Sequence, residues 1–277
     1  MRTLKGFILL TRPPNLLIAL ISIFIGGFVT GTIHPFAKLA MACVSGMIIM
    51  AGANSINDFF DRDIDKINKP ERPIPAGMVK PAHAYIYALI LFGLGCYLGY
   101  LIHWPGFGIA LLASILLYLY SAVLKGTVLL GNITVGLLSG LAFVYGGLAV
   151  NRLGSALIVG IFALLYHTGR EIIKDIEDMK GDAAGGAKTL PVRYGVQTAM
   201  VWATGVLILL ICLTIIPYFL QIFNIYYLLT VVIGVDLFLI YVIISMWKRP
   251  EPEFLGKLAV YMKADMLMGL LAVYLGS

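Results

Sequence analysis

The chain of 277 residues consists of long apolar stretches joined by short polar connections. Each stretch is close to the roughly 20 residues that an α-helix needs to cross the hydrocarbon core of a bilayer. Nine such spans fit, near 13–33, 36–60, 82–102, 106–124, 130–150, 154–178, 196–218, 225–247 and 258–276. Backbone amides in lipid must be satisfied within their own segment, so the predicted fold class is an all-α membrane protein. Composition agrees: 60% of residues are hydrophobic and 12% are charged, where a soluble domain carries about a quarter charged.

The net charge of +6 does not point to nucleic acid, because the basic residues are distributed by sidedness. Of 20 Lys and Arg, only Lys38 and Arg152 fall in the loops opposite the amino terminus, and Arg170 and Lys263 fall inside spans. The positive-inside rule then predicts a multi-pass plasma-membrane protein with the amino terminus cytoplasmic and the carboxyl terminus outside. Some of this charge suits anionic lipid headgroups. The opening MRTLKGFILLTRPPNLL lacks a small-residue cleavage pattern, so the first span is expected to be retained. Cys43, Cys96 and Cys212 lie singly in apolar spans and read as packing residues. Gly26-Gly27, Gly93, Gly95 and Gly146-Gly147 suit close helix approach.

Ten of the 14 acidic residues fall in two short windows, residues 58–71 and 171–182. A carboxylate at the bilayer centre costs about 2.5–3.5 kcal/mol even on the lenient insertion scale. Both windows are therefore expected at a membrane edge or in a wet cavity, with cations; on the predicted topology they are cytoplasmic. Each ends a span that enters from the outer side, and their starts are about 115 residues, or four spans, apart. This predicts a single membrane domain over 1–277 made of two four-helix pseudo-repeats, roughly 13–124 and 130–247, plus a closing helix. The acidic ends of the second and sixth spans are expected to face a central cavity.

Asn57, Asp61 and Asp65 recur every four residues, as do Asp178 and Asp182, with Asp175 three residues earlier. On a helix each set forms one stripe. Oxygen ligands without His or Cys suit Mg²⁺, which takes one or two carboxylates together with substrate phosphate oxygens. Two stripes could hold two ions around one diphosphate. The plainer alternative is a solvated helix end paired to Arg62, Lys66 and Lys174. GDAAGGAKT, from Gly181, is not a phosphate-binding P-loop, since Ala187 separates Gly186 from Lys188 and no strand precedes it. Asn132-Ile133-Thr134 is a glycosylation sequon on the expected cytoplasmic side, where it would go unused.

NDFFDRDIDKINKPERPIPAG from Asn57, DMKGDAAGGAKTLPVRYG from Asp178 and YSAVLKGTVLLGN from Tyr120 appear in an order and with a span count that resemble the UbiA superfamily of intramembrane prenyltransferases over essentially the whole chain. The resemblance implies Mg²⁺-dependent ionisation of an allylic prenyl diphosphate and transfer of the prenyl group to an acceptor in the membrane. It implies Asn57, Asp61 and Asp65 as ligands of one Mg²⁺ and Asp178 and Asp182 of the other, with Asp58 and Asp175 supporting them and Asp175 also a candidate ligand. Arg72 and Lys125, then Lys188 and Arg62, are the implied diphosphate contacts, and Asn15 adds a polar contact near the headgroup. Tyr120 carries the motif-supported aromatic face for the allylic cation. Tyr118, Phe143, Tyr145 and Tyr166 could join it or could simply pack, and His167 reads as a packing residue.

TRPPNLL, KPERPIPAG and REIIKDIEDMKGD are most similar to archaeal members of the superfamily that place a geranylgeranyl group on the glycerol hydroxyl of geranylgeranylglyceryl phosphate. The resemblance thus implies geranylgeranyl diphosphate and a lipid-like acceptor in ether-lipid synthesis. The alternatives are an aromatic acceptor, hydroxybenzoate or dihydroxynaphthoate, in quinone synthesis, and a cation-coupled transporter. Transport sites lie near the bilayer midplane, where this chain offers only Asp236 and Asp265. Oligomeric state is left open by the sequence.

Overall fold

Sixteen short or long helical segments run through residues 2–276, the part of the chain that the computed structural model describes. In order they are α1 (Arg2–Thr11), α2 (Pro13–Phe28), α3 (Phe36–Phe60), α4 (Arg62–Asn68), α5 (Pro81–Ile102), α6 (Trp104–Ala122), a 3₁₀ turn (Leu124–Gly126), α7 (Leu130–Ala149), α8 (Gly154–Ala184), α9 (Leu190–Tyr194), α10 (Val196–Thr214), α11 (Ile216–Phe219), α12 (Ile225–Thr230), a π segment (Val231–Asp236), α13 (Leu237–Lys248) and α14 (Pro252–Gly276). Among the described residues, nine helical stretches are long and apolar enough to cross a membrane.

Local chemistry sets the boundaries. Pro81, Pro105 and Pro191 occupy the first turns of α5, α6 and α9, where a missing amide costs nothing. The His103 ring caps α6 by accepting from the Gly106 amide at 2.8 Å while its other nitrogen bonds the Leu148 carbonyl at 2.8 Å. Asn224 caps α12 by accepting from Tyr226 and Tyr227. Gly195, at φ 86°, breaks α9 from α10.

Three expected spans are corrected at their ends. The first runs from Arg2 to Phe28, not 13–33, and is broken at Arg12, whose left-handed φ of 50° precedes Pro13. The sixth continues past residue 178 to Ala184, because its polar end remains helical. The ninth begins at Pro252, since Glu253 and Lys257 are accommodated on its first turns.

The chain divides into two compact units. The first comprises Met1–Phe28, Thr32–Leu124 and Leu141–Ala156; the second comprises Val29–Gly31, Lys125–Gly140 and Leu157–Ser277. Helix α7 is thus shared, its start belonging to the second unit and its end to the first. Within the first unit, α2 and α7 approach at glycine: a Cβ on Gly26 would strike the Phe143 backbone, and one on Gly146 would strike the Ile23 carbonyl and Gly27 amide. Gly95 of α5 lies on Ile49 and Ser45 of α3 in the same manner, whereas Gly93 faces open space. Ile49, Ala53, Ile56, Ala88, Phe92 and Cys96 fill the α3–α5 core. In the second unit Gly136 and Gly140 bring α7 onto Leu164 and Gly160 of α8.

Candidate active site

Helix α3 ends at Phe60, but its hydrogen-bond ladder carries on into α4. The Asp61 amide donates to Asn57 O at 2.9 Å and the Asp65 amide to Asp61 O at 2.8 Å. Asn57, Asp61 and Asp65 therefore stay on one stripe, and Asn57 Nδ2 donates to Asp61 Oδ2 at 3.0 Å. Asp58 and Asp65 are 2% and 4% exposed, too buried for bare carboxylates. Their countercharges come from sequence-distant arginines. Arg12, at the break between α1 and α2, pairs with Asp58. Arg72 pairs with Asp65 at 2.5 Å and reaches Asp58 at 3.4 Å.

Arg72 is aimed by its loop. Pro73 O accepts from the Met78 and Val79 amides, Gly77 adopts φ 68°, and Ile74 and Val79 are buried with Leu10 and Ala84. Asn15 donates to Asn54 at 3.2 Å, and Asn54 donates to the Thr11 carbonyl at 2.7 Å. Arg62 turns elsewhere, to the Phe59 carbonyl and ring and to Asp63. Asp63 is exposed, and the hydrogen bond and charge of Lys66 hold it below the ordinary carboxylate range.

The second unit contains a similar row on α8, with other partners. Asn132 of α7 donates to Asp175 at 2.8 Å, Lys174 bridges to Asp178 at 3.0 Å, and Thr189 donates to Asp182 at 3.2 Å. After α8 the chain turns through Gly186, at φ 75°, and the Lys188 amide donates to Gly126 O at 2.7 Å. That bond brings Lys125 and Lys188, expected on separate motifs to serve one anion, onto adjoining turns. No strand precedes this turn, so the P-loop reading fails here as the sequence indicated.

The interval from Asp61 to Asp178 and from Asp65 to Asp182 is also that from Asp58 to Asp175, from Asn15 to Asn132 and from Arg72 to Thr189. The left-handed Arg12 and Leu129 stand at the same interval. The repeat thus extends from the acids to the residues that hold them. Sequence reasoning missed Arg12, Asn54 and Thr189 and took Asn132 only for a sequon; the constant interval was the signal for Asn132 and Thr189. Asn132 and Thr134 are 4% and 7% exposed, which bars glycosylation.

Among the described residues no three His, Cys, Asp or Glu side chains form a ready cage for a metal. The donors nonetheless fit Mg²⁺: each row offers oxygen ligands alone, and Mg²⁺ fills its octahedron with water and phosphate oxygens. In the second row the acids at Asp175 and Asp182 accept from neutral donors, leaving their charge for a cation. Of the candidate aromatics, Tyr118 meets Tyr85 at 3.4 Å and Tyr120 is half-buried. Phe143, Tyr145 and Tyr166 are at most 6% exposed. Tyr145 donates to Ser45 at 2.9 Å, and Tyr166 lies 2.8 Å from Asp265.

These features can be set beside known proteins. The digeranylgeranylglyceryl phosphate synthases of Methanobrevibacter smithii and Sulfurisphaera tokodaii are 37% and 38% identical, covering 99% of this chain and 98% and 99% of theirs. A solved structure described as concerning digeranylgeranylglyceryl phosphate synthase in membranes matches with a TM-score of 0.88 at 35% identity, over 100% of this chain and 99% of that one. A UbiA homologue from Archaeoglobus fulgidus bound to DMAPP and Mg²⁺ shares the fold, with a TM-score of 0.73 at 21% identity over 97% and 99% of the two chains. Residues 19–255 match the UbiA prenyltransferase family. The chain, a membrane prenyltransferase with a duplicated acidic row, belongs to the UbiA prenyltransferase family.

Proposed function

We propose that this prenyltransferase moves a geranylgeranyl group from geranylgeranyl diphosphate to the glycerol hydroxyl of geranylgeranylglyceryl phosphate, forming the second ether of an archaeal membrane lipid precursor. The observation that carries this reading is the full-length identity of 35–38% to enzymes named for that product. Asn57, Asp61 and Asp65 hold one Mg²⁺; Asp178 and Asp182, with Asp175, hold a second. Arg72, Lys125 and Lys188 take diphosphate oxygens, Asn15 adds a polar contact near the headgroup, and Arg62 joins them only by leaving Phe59 and Asp63. Bound Mg²⁺ supplies charge for the departing diphosphate, where negative charge grows as the C–O bond breaks. Tyr120 offers its ring to the allylic cation. The amino terminus and both rows face the cytoplasm, which the asymmetry of Lys and Arg supports.

The test is product analysis of the purified enzyme with Mg²⁺ and labelled geranylgeranyl diphosphate, offering geranylgeranylglyceryl phosphate, hydroxybenzoate and dihydroxynaphthoate in competition. A doubly prenylated glycerol phosphate is expected. Prenylated aromatic product alone would move the enzyme to quinone synthesis.

A further inference from the structure

Tyr166 of α8 presents one hydroxyl hydrogen to two short contacts. Its oxygen lies 2.8 Å from the Met262 carbonyl and 2.8 Å from Asp265 Oδ2, both on α14. A carbonyl can only accept, and an ionised carboxylate can only accept. One hydrogen cannot serve both at full strength, and a proton on Asp265 would satisfy both contacts. The first unit contains the same kind of chain with its protons in balance: Tyr145 donates to Ser45 at 2.9 Å and Ser45 donates to the Gly95 carbonyl at 2.8 Å. There the intermediate hydroxyl brings its own hydrogen. At Tyr166 the balance would close in the opposite direction, with a protonated Asp265 donating to the phenol and the phenol donating to Met262.

Asp236 poses the same count. Thr214 Oγ1 lies 2.8 Å from the Ile211 carbonyl and 3.0 and 3.2 Å from the two oxygens of Asp236. A proton on Asp236 would supply the hydrogen that threonine lacks. Asp236 and Asp265 are 4% and 8% exposed within apolar spans, where an unpaired charge is costly. Asp265 touches Tyr166. The nearby Arg170 guanidinium is committed to the Ala259 carbonyl at 2.9 Å and to Glu171 at 2.6 Å.

We propose that Asp265 is a neutral carboxylic acid whose donated proton fixes α8 to α14 and so positions the row Asp175, Asp178 and Asp182 for its metal. Tyr166 and Arg170 sit one helical turn apart on α8 and bind Met262 and Ala259 of α14, while Glu177 lies over Gly256 further along the same pair. The contact forms a polar seam that runs along α8 from Tyr166 into the stretch carrying the acidic row. Asp265 is a positioning residue: it touches no reacting atom. The proposal rests on the reading that this row holds Mg²⁺.

Two measurements test it. The infrared difference spectrum of parent minus D265N, taken in detergent at neutral pH, is expected to carry the C=O stretch of a protonated carboxyl; a carboxylate band there overturns the proposal. Mg²⁺-titrated thermal shift then compares D265N with D265A. Asn keeps a donor at this position, so D265N should hold the parent's half-saturating Mg²⁺, whereas D265A, acting through Tyr166 and α8 and not on a ligand directly, should raise it by up to about 10-fold, the lower end of what loss of a ligand's own hydrogen-bond partner costs. D265N as impaired as D265A, D265N failing to fold, or D265A indistinguishable from parent each overturns it. If D178N leaves the Mg²⁺ titration unchanged, the metal assignment of α8 and the positioning role fall together. The infrared band decides the proton independently.

Discussion

Helices α3 and α8 carry corresponding acidic rows, yet each is held by different physics. Helix α3 packs through small residues: Gly95 against Ile49, Gly52 against Phe92, and Ala53, Ile56 and Ala88 in an apolar core. Its acids are balanced by full positive charges, Arg12 and Arg72. Helix α8 is fastened by hydrogen bonds from Tyr166 and Arg170 to α14, and Asp175 and Asp182 accept from an amide and a hydroxyl. The acids recur at a constant interval, while the groups that meet them differ in charge and, for Asp58 and Asp175, in position as well. Asp58 and Asp65 are thus met by guanidinium charge, and their counterparts Asp175 and Asp182 by neutral donors.

The comparison is most severely tested at the acids themselves. D61N and D178N are each expected to lower Mg²⁺-dependent product formation by on the order of 10³-fold, with elution and thermal melting of the purified protein unchanged. A large loss in only one would show that the two rows are not equal partners in turnover. R72A leaves Asp58 and Asp65 with a buried charge deficit, and breaking such a pair costs about 3–5 kcal/mol, to be read as a marked fall in melting temperature. G146A should cost about 1–3 kcal/mol through overpacking at α2, whereas G93A, facing open space, should melt with the parent.

T189V stands at the position matching Arg72 and removes a hydroxyl's hydrogen bond to the Asp182 carboxylate, so about 1.5–3 kcal/mol is expected; a loss equal to that of R72A would erase the contrast between the rows. K66A sits at the bottom of the scale. Its partner Asp63 is exposed, and surface pairs contribute about 0–1 kcal/mol, so melting and turnover should stay as they are.

Most of the architecture was legible because the hydrophobic requirement of a bilayer writes helix length directly into sequence. The second span was read at 36–60 and the fifth at 130–150, against α3 at Phe36–Phe60 and α7 at Leu130–Ala149. The ends that strayed are those where polarity and helicity part company. Helix α8 keeps its geometry through Lys180 and Asp182, and α1 is amphipathic, with Leu4 and Ile8 exposed beside Lys5. The spacing of Asp61, Asp65, Asp178 and Asp182 was readable because helical periodicity is local. Arg12 was not, because its pairing with Asp58 depends on a left-handed turn before Pro13 that no pattern of residue types announces. Tyr145 and Tyr166 were open to a role in lining a cavity; their hydrogen bonds to Ser45 and Met262 could be found only in three dimensions.

The division of α7 between the two units has a consequence for biosynthesis. Leu141–Ala156 completes a unit whose other parts all precede residue 125. A nascent chain emerging from the ribosome therefore cannot finish its first unit when its fourth span has been inserted; it must wait until the fifth has been delivered as well. Two fragments divided after Leu124 would each lack part of a unit, whereas division after Ala156 supplies the first unit whole and leaves the second without Val29–Gly31 and Lys125–Gly140. The order in which the halves can mature is thus imposed by one shared helix, and a translational pause would protect the newborn enzyme only if it fell beyond that helix.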